Sequence, residues 1–211
     1  VKGFSKLADQ VKIKVMAGTL LDSSENANID TEFIMYNCLK ETNKEISFNE
    51  STNSFEDNGF LGNTSVKRNK IEKITFVNSI DQVKGTIWNA SANDDNSIIA
   101  GYEDSDSNGY YEIYIGSNEN IYGNINSSYL FAGMENLKNI VDMNNLYMTN
   151  IINIDSLFFG DKKLQNIELG TNFKTNNVTN MDNLFRDCET LNEIKLNSEF
   201  NTLKVTTMKN M

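Results

Sequence analysis

Towards its C-terminal end the chain reads Asn177-Val178-Thr179-Asn180-Met181-Asp182-Asn183-Leu184-Phe185-Arg186-Asp187-Cys188-Glu189-Thr190-Leu191. A step back of 27 residues lands on the same pattern: Leu157-Phe158 matches Leu184-Phe185, and a second step reaches Leu130-Phe131. Leu137, Leu164 and Leu191 keep that spacing, as do Ile140, Ile167 and Ile194. Leu146, Phe173 and Phe200 follow without a gap, and so do Ile151, Val178 and Val205. Apolar positions that recur at one fixed period mark a repeated structural unit.

The spacing inside a unit suggests its shape. Leu191-x-x-Ile194-x-Leu196 puts Ile194 and Leu196 on one face of a short strand. Val178-x-x-Met181-x-x-Leu184-Phe185 has helical or 3-10 spacing. One such unit cannot bury its own apolar side, so units are expected to stack, with a parallel sheet on one side and helical turns on the other. Residues 127–211 are therefore expected to form a short leucine-rich-repeat-type solenoid with parallel β-strands. The pattern breaks off at Met211, inside a fourth unit. A bare end leaves an unpaired edge, so the chain is expected to continue past it.

Upstream, residues 76–126 read as a β-rich lead-in. Strands are expected at 83–88, 97–102, 110–116 and 121–122, with Asn108-Gly109 turning a hairpin before the third. Residues 1–75 read as a separate region. Phe4, Leu7, Ala8, Val11 and Val15 fall on one helical stripe, which predicts a helix over 1–21. A polar loop at 22–30 follows, then strands at 33–39, 45–48 and 71–77, with 49–69 as a long loop or frayed edge. In 71–77 the alternation is imperfect, with Ile74 and Phe76 pointing inward and Lys73 and Thr75 outward. The expected fold class is α+β: an N-terminal helix with an antiparallel β-sheet, then the repeat solenoid.

Composition narrows the function classes. The net charge is −10, which disfavours nucleic acid and anionic lipid as partners. No apolar run approaches the roughly eighteen residues that a membrane span needs, so no membrane contact is expected within this stretch. There is no histidine and only two cysteines, Cys38 and Cys188, so structural zinc held by Cys or His is excluded. Val1 is not a methionine and is expected to begin a processed or trimmed chain.

The run quoted first, together with Val205-Thr206-Thr207-Met208-Lys209-Asn210-Met211, resembles the BspA-like leucine-rich repeat surface proteins. Their units typically read Val-Thr-x-Met-x-x-Met-Phe-x-x-Cys-x-x-Leu. Here Leu184 replaces the usual Met, and Cys188 falls on the Cys position. Met134 and Asp161 hold that position in the earlier units. The likeness spans about residues 75–211. It implies display on the surface of a bacterium, Gram-positive where a pilin-like N-terminus is joined to such repeats, and adhesion to a host or bacterial surface protein or glycan. It implies no catalytic set. Residues 1–75 are similar to the soluble part of a type IV pilin, which implies the alternative of a minor pilin packed against other pilin subunits in a pilus.

Three groups of residues are candidates for function. The outward positions of the repeat strands, Asn139 and Val141, Asn166 and Glu168, Glu193 and Lys195, are expected to line up as rows on one face and form the ligand surface. Asp104, Asp106 and Asn108 resemble the opening of a calcium loop, D-x-D-x-N-G. The twelfth residue from Asp104 is Ile115 and not the bidentate Glu of a full loop, and Glu112 substitutes only in part, so a solvated hairpin tip is preferred and no cofactor is expected. Cys38 and Cys188 are expected to be buried free thiols in preference to a disulfide. The aromatics of the middle block, Trp88, Tyr102, Tyr110, Tyr111, Tyr114, Tyr122 and Tyr129, are expected to serve the core before any sugar-binding platform.

Overall fold

The computed structural model of the chain describes residues 11–17, 29–35 and 37–211. Thirteen strands are described: β1 (Val11–Ala17), β2 (Ile29–Met35), β3 (Ile46–Asn49), β4 (Ser54–Asp57), β5 (Ile71–Val77), β6 (Thr86–Asn89), β7 (Ile99–Glu103), β8 (Tyr111–Gly116), β9 (Ile121–Tyr122), β10 (Asn139–Val141), β11 (Leu146–Tyr147), β12 (Asn166–Glu168) and β13 (Glu193–Lys195). The described residues contain no α-helix; their only helical pieces are three 3-10 turns, at 68–70, 80–82 and 143–145.

The α+β class is thereby corrected to a mostly β fold built from several small sheets. Part of the expected helix is a strand: β1 pairs antiparallel with β2, Val11 opposite Met35 and Ala17 opposite Ile29. Val11, Ile13 and Val15 alternate with Lys12 and Lys14, which is strand periodicity. The rest of that helix, 1–10 and 18–21, lies outside the described residues, as does most of the polar loop at 22–30.

The central element is a five-stranded sheet in the order β10-β5-β8-β7-β6. It draws strands from all three segments of the chain. β7 and β8 form the expected hairpin, β6 pairs antiparallel with β7, and β5 runs parallel to both β8 and β10. Ile71, Ile74, Phe76, Ala100, Ile113 and Ile115 are fully buried beneath it. Those side chains join one continuous cluster with Phe131, Leu137, Phe158, Leu164 and Leu184 of the repeats. Burying each large aliphatic side chain stabilises the fold by roughly 1.5–3 kcal/mol, so the repeats and the sheet hold each other in place.

The leucine-rich-repeat-type solenoid does not form. Its strands are three residues long and do not share one sheet: β10 joins β5, while β12 and β13 pair with each other. Helical turns fail for a backbone reason. Tyr129, Ser156, Asn183 and Asn210, spaced 27 apart, all have left-handed φ between 53° and 60°. A residue in that conformation ends a right-handed helix. Gly133, Gly160 and Asp187 repeat the break four residues later.

The period produces irregular turns held in register by backbone bonds. The N–H groups of Ser127, Tyr129, Phe131 and Gly133 donate to the carbonyls of Asn153, Asp155, Leu157 and Phe159, at 2.8–3.0 Å. Ile154, Ser156, Phe158 and Gly160 do the same to Asn180, Asp182, Leu184 and Arg186. The rings of Phe131, Phe158 and Phe185 stack at 5.3 and 5.4 Å with planes 13° and 3° apart. Asn153 and Asn180 each accept, through the side-chain oxygen, the N–H two residues on, at 2.9 Å.

The expected loop at 49–69 contains strand β4, and its second half contributes to the core. Phe60, Leu61 and Val66 are fully buried, and so is Arg68. Its Nε donates to the Gly59 carbonyl at 3.0 Å, and its Nη1 to the carbonyls of Tyr129, Leu130 and Ala132 at 2.9–3.2 Å. Nη2 stands 3.5 Å from Glu45 Oε2. One guanidinium thus ties this segment to the first repeat turn. Nearby Asp161 is fully buried, and its Oδ1 accepts the Met134 N–H at 3.0 Å. Desolvation raises its pKa well above the usual carboxylate value, against the pull of the Met134 N–H and Arg68.

Two outcomes are expected. Arg68→Met strips a buried network of its cation and lowers unfolding free energy by about 3–5 kcal/mol, read from urea denaturation. The raised pKa of Asp161 means that the native state holds this proton more tightly than the unfolded chain does. Its stabilising contribution is then full below the ordinary carboxylate pKa and is lost as pH rises through the native value. Melting temperatures of the wild type and Asp161→Asn should therefore diverge as pH rises from about 4 to 8, with the wild type losing ground. Parallel curves would contradict the raised pKa of the buried carboxyl.

Candidate functional site

The six outward repeat positions divide into two groups. β12 and β13 run parallel with Asn166 opposite Glu193 and Glu168 opposite Lys195. All four side chains are exposed. Lys195 Nζ lies 3.8 Å from Glu168 Oε2, a solvent-facing ion pair of little energetic weight. Asn139 and Val141 sit on β10, opposite Lys73 and Thr75 of β5. Asn139 is exposed, whereas Val141 is half-buried. Asn139 and Val141 therefore belong to the central sheet and not to the β12–β13 ladder, although β10 lies beside β12.

Asn139 borders a small cleft of about 170 Å³ with Glu72, Lys73, Glu112 and Lys138. The pairing of β5 with β8 slips between Ile71 and Lys73. This bulge lets consecutive residues, Glu72 and Lys73, line the same cleft. Lys138 Nζ donates to Glu72 Oε2 at 2.6 Å, and Lys73 Nζ lies 3.4 Å from Glu112 Oε2. Tyr114 donates to Glu112 at 3.2 Å, and Ser105 donates to its other oxygen. The Lys138 hydrogen bond holds the Glu72 carboxyl below the usual range, and the Ser105 hydrogen bond does the same for Glu112. Both carboxylates are ionised at neutral pH. An acid–base pair needs two carboxyls with pKa values pushed apart, and these two move the same way. The cleft presents fixed charge and hydrogen-bond groups.

The hairpin tip reaches the same cleft. Asn108 Nδ2 donates to Glu72 Oε1 at 3.1 Å and to Asp106 Oδ2 at 2.9 Å. Asp104 accepts the N–H groups of Asn108 and Gly109 at 2.9 and 3.0 Å. Asp104 and Asp106 are thus turned onto the loop's own donors. Among the described residues, no group of three or more acidic or cysteine side chains is placed to hold a metal ion. Glu72, Lys73 and Lys138 carry no motif, and the broken alternation of β5 was their one trace in the sequence.

The remaining candidates are structural. Trp88, Tyr102 and Tyr111 form a row packed against the core, and Trp88 Nε1 donates to the Leu61 carbonyl at 3.0 Å. Cys38 and Cys188 are free thiols, pushed up by burial to about 11 and about 12. Cys38 is buried, whereas Cys188 is half-buried and donates to the Phe158 carbonyl at 3.0 Å. A second concavity, which sequence reasoning missed, is an apolar groove of about 420 Å³ beside β13. Among the described residues no helix is long and apolar enough to cross a membrane.

Because the hairpin carboxylates are occupied by backbone N–H groups, the melting temperature is expected to be the same in EDTA and in millimolar calcium. A rise in calcium would show a site that the loop opens to form.

No curated protein and no solved structure is matched by this chain. Over residues 125–211 it is similar to a family described as Mycoplasma protein of unknown function, DUF285.

Proposed function

We propose that this chain is a non-enzymatic interaction protein displayed outside a bacterial cell, and that it binds a surface protein or glycan through the outer face of β12 and β13. One observation carries the proposal: Asn166, Glu168, Glu193 and Lys195 stand exposed and in register, with a single long ion pair among them. Side chains held on a strand ladder are positioned at little entropic cost to binding. The resemblance to BspA-like surface repeats supports the same role, and the net charge of −10 argues against nucleic acid as the partner. A minor pilin would call for a helix where Val11–Ala17 forms a strand, and no observation favours that alternative.

The test is saturable binding of the fluorescently labelled chain to intact bacterial and host epithelial cells. The double variant Asn166→Ala, Glu168→Ala is expected to weaken binding at least about tenfold, at an unchanged melting temperature. Equal binding by the variant, or no saturable binding to either cell type, would contradict the proposal.

A further inference from the structure

The cleft between β5, β8 and β10 holds two ion pairs whose hydrogen-bonding groups are only partly used. Its carboxylates lie deeper than its ammonium groups: the side chains of Glu72 and Glu112 are 11% and 19% exposed, those of Lys138 and Lys73 56% and 39%. Both carboxylates are fixed from several sides. Asn108 and Lys138 hold the two oxygens of Glu72, and Ser105, Tyr114 and Lys73 hold those of Glu112. The backbone beneath is fixed as well, since the Lys138 N–H donates to the Glu72 carbonyl at 2.8 Å. Groups held in place before a ligand arrives lose little entropy on binding it.

The unused groups specify the occupant. An ammonium carries three donors, and an ionised carboxylate accepts at about four lone-pair positions. Among the described residues Lys138 Nζ has one acceptor, Glu72 Oε2, and Lys73 Nζ has one, Glu112 Oε2. Donors on both ammonium groups are therefore left over. Each oxygen of Glu72 accepts a single hydrogen bond, so acceptor positions are left over too. Asn139, exposed at the border, adds an amide with a donor and an acceptor end. A ligand that completes this set must accept and donate side by side. A hydroxyl does both, accepting from a lysine while donating to the neighbouring carboxylate, and adjacent hydroxyls repeat the arrangement. A charged ligand fits less well: an anion meets Glu72 and Glu112, and a cation meets Lys73 and Lys138. The volume of about 170 Å³ is below that of sites for drug-sized molecules and suits a single small ring.

The geometry points to this cleft as a binding site for one uncharged sugar ring, a hexose or its N-acetylated form, held by Lys73, Lys138, Glu72 and Asn139. The inference goes beyond the β12–β13 face and does not rest on it. Its test is a titration of the isotope-labelled 211-residue chain with glucose, galactose, mannose and N-acetylglucosamine, followed by amide NMR. At least one sugar is expected to give saturable shifts at Lys73, Lys138 and Asn139, with a dissociation constant on the order of 1 mM. The uronic acid and the 2-amino form of that sugar are expected to bind at least about tenfold more weakly, because each brings a charge that the cleft already holds. Lys73→Met and Lys138→Met each remove donors and are expected to weaken binding at least about tenfold, with unchanged circular dichroism. Should either variant fail to fold, the comparison of neutral and charged sugars on the wild type still decides. The double variant Asn166→Ala, Glu168→Ala is expected to bind the sugar as the wild type does, so either proposal can fail alone. No saturable shift with any of the four neutral sugars, charged forms that bind as tightly, or folded lysine variants that bind as well as the wild type would each overturn the inference.

Discussion

Every second backbone N–H from Ser127 to Gly133 reaches a carbonyl of the following turn, and the pattern recurs one period later from Ile154 to Gly160. The rest of the C-terminal half depends on this ladder. It fixes the turns in register, so Phe131, Phe158 and Phe185 must stack, and Leu137, Leu164 and Leu191 must follow one another. The ladder requires the chain to reverse sharply twice in each unit, which the left-handed residues allow. The same reversals exclude helix. The short strands β12 and β13 are placed by this register, and their exposed side chains inherit their alignment from it.

The ladder alone would leave one side of the turns bare. The central sheet covers the first turn through β10, which pairs with β5. Arg68 adds a polar anchor by donating to three carbonyls of the Tyr129–Ala132 reversal. A second clasp lies further along. The β3–β4 hairpin sets Phe48 and Phe55 against Phe159, and Arg186 lies over the rings of Phe48 and Phe159 at 5.1 and 4.7 Å. Glu50 holds that guanidinium through two hydrogen bonds. A side chain on Gly133 or Gly160 would collide with Ile46 or Phe55, so these two positions are small where the hairpin crosses the turns.

Much of the strand pattern was legible in the sequence. Strands β5 and β9 fall where alternation and turn residues put them, and β6 to β8 lie within a few residues of expectation. The 27-residue period was legible because apolar positions must recur when turns stack. The shape of a unit was not. A spacing of three between Val178, Met181 and Leu184 suits a helix and suits successive tight turns equally well, and only φ at Asn183 separates them. Val11–Ala17 carries two competing signals: a helical stripe through Phe4, Leu7 and Val11 and an alternation through Val11, Ile13 and Val15, of which the strand prevails. The Glu72–Glu112 cleft was hidden because a bulge, not a motif, turns Glu72 and Lys73 to the same side. Arg68 was hidden because a polar segment gave no sign that its charge would be buried against carbonyls.

The central claim is that backbone bonds between successive turns, and not helix or a continuous sheet, hold the repeat together. Residue-resolved amide hydrogen exchange tests it most directly. The amides of Tyr129, Phe131, Ser156 and Phe158 should exchange only through global unfolding. Rapid exchange at all four positions would contradict the account.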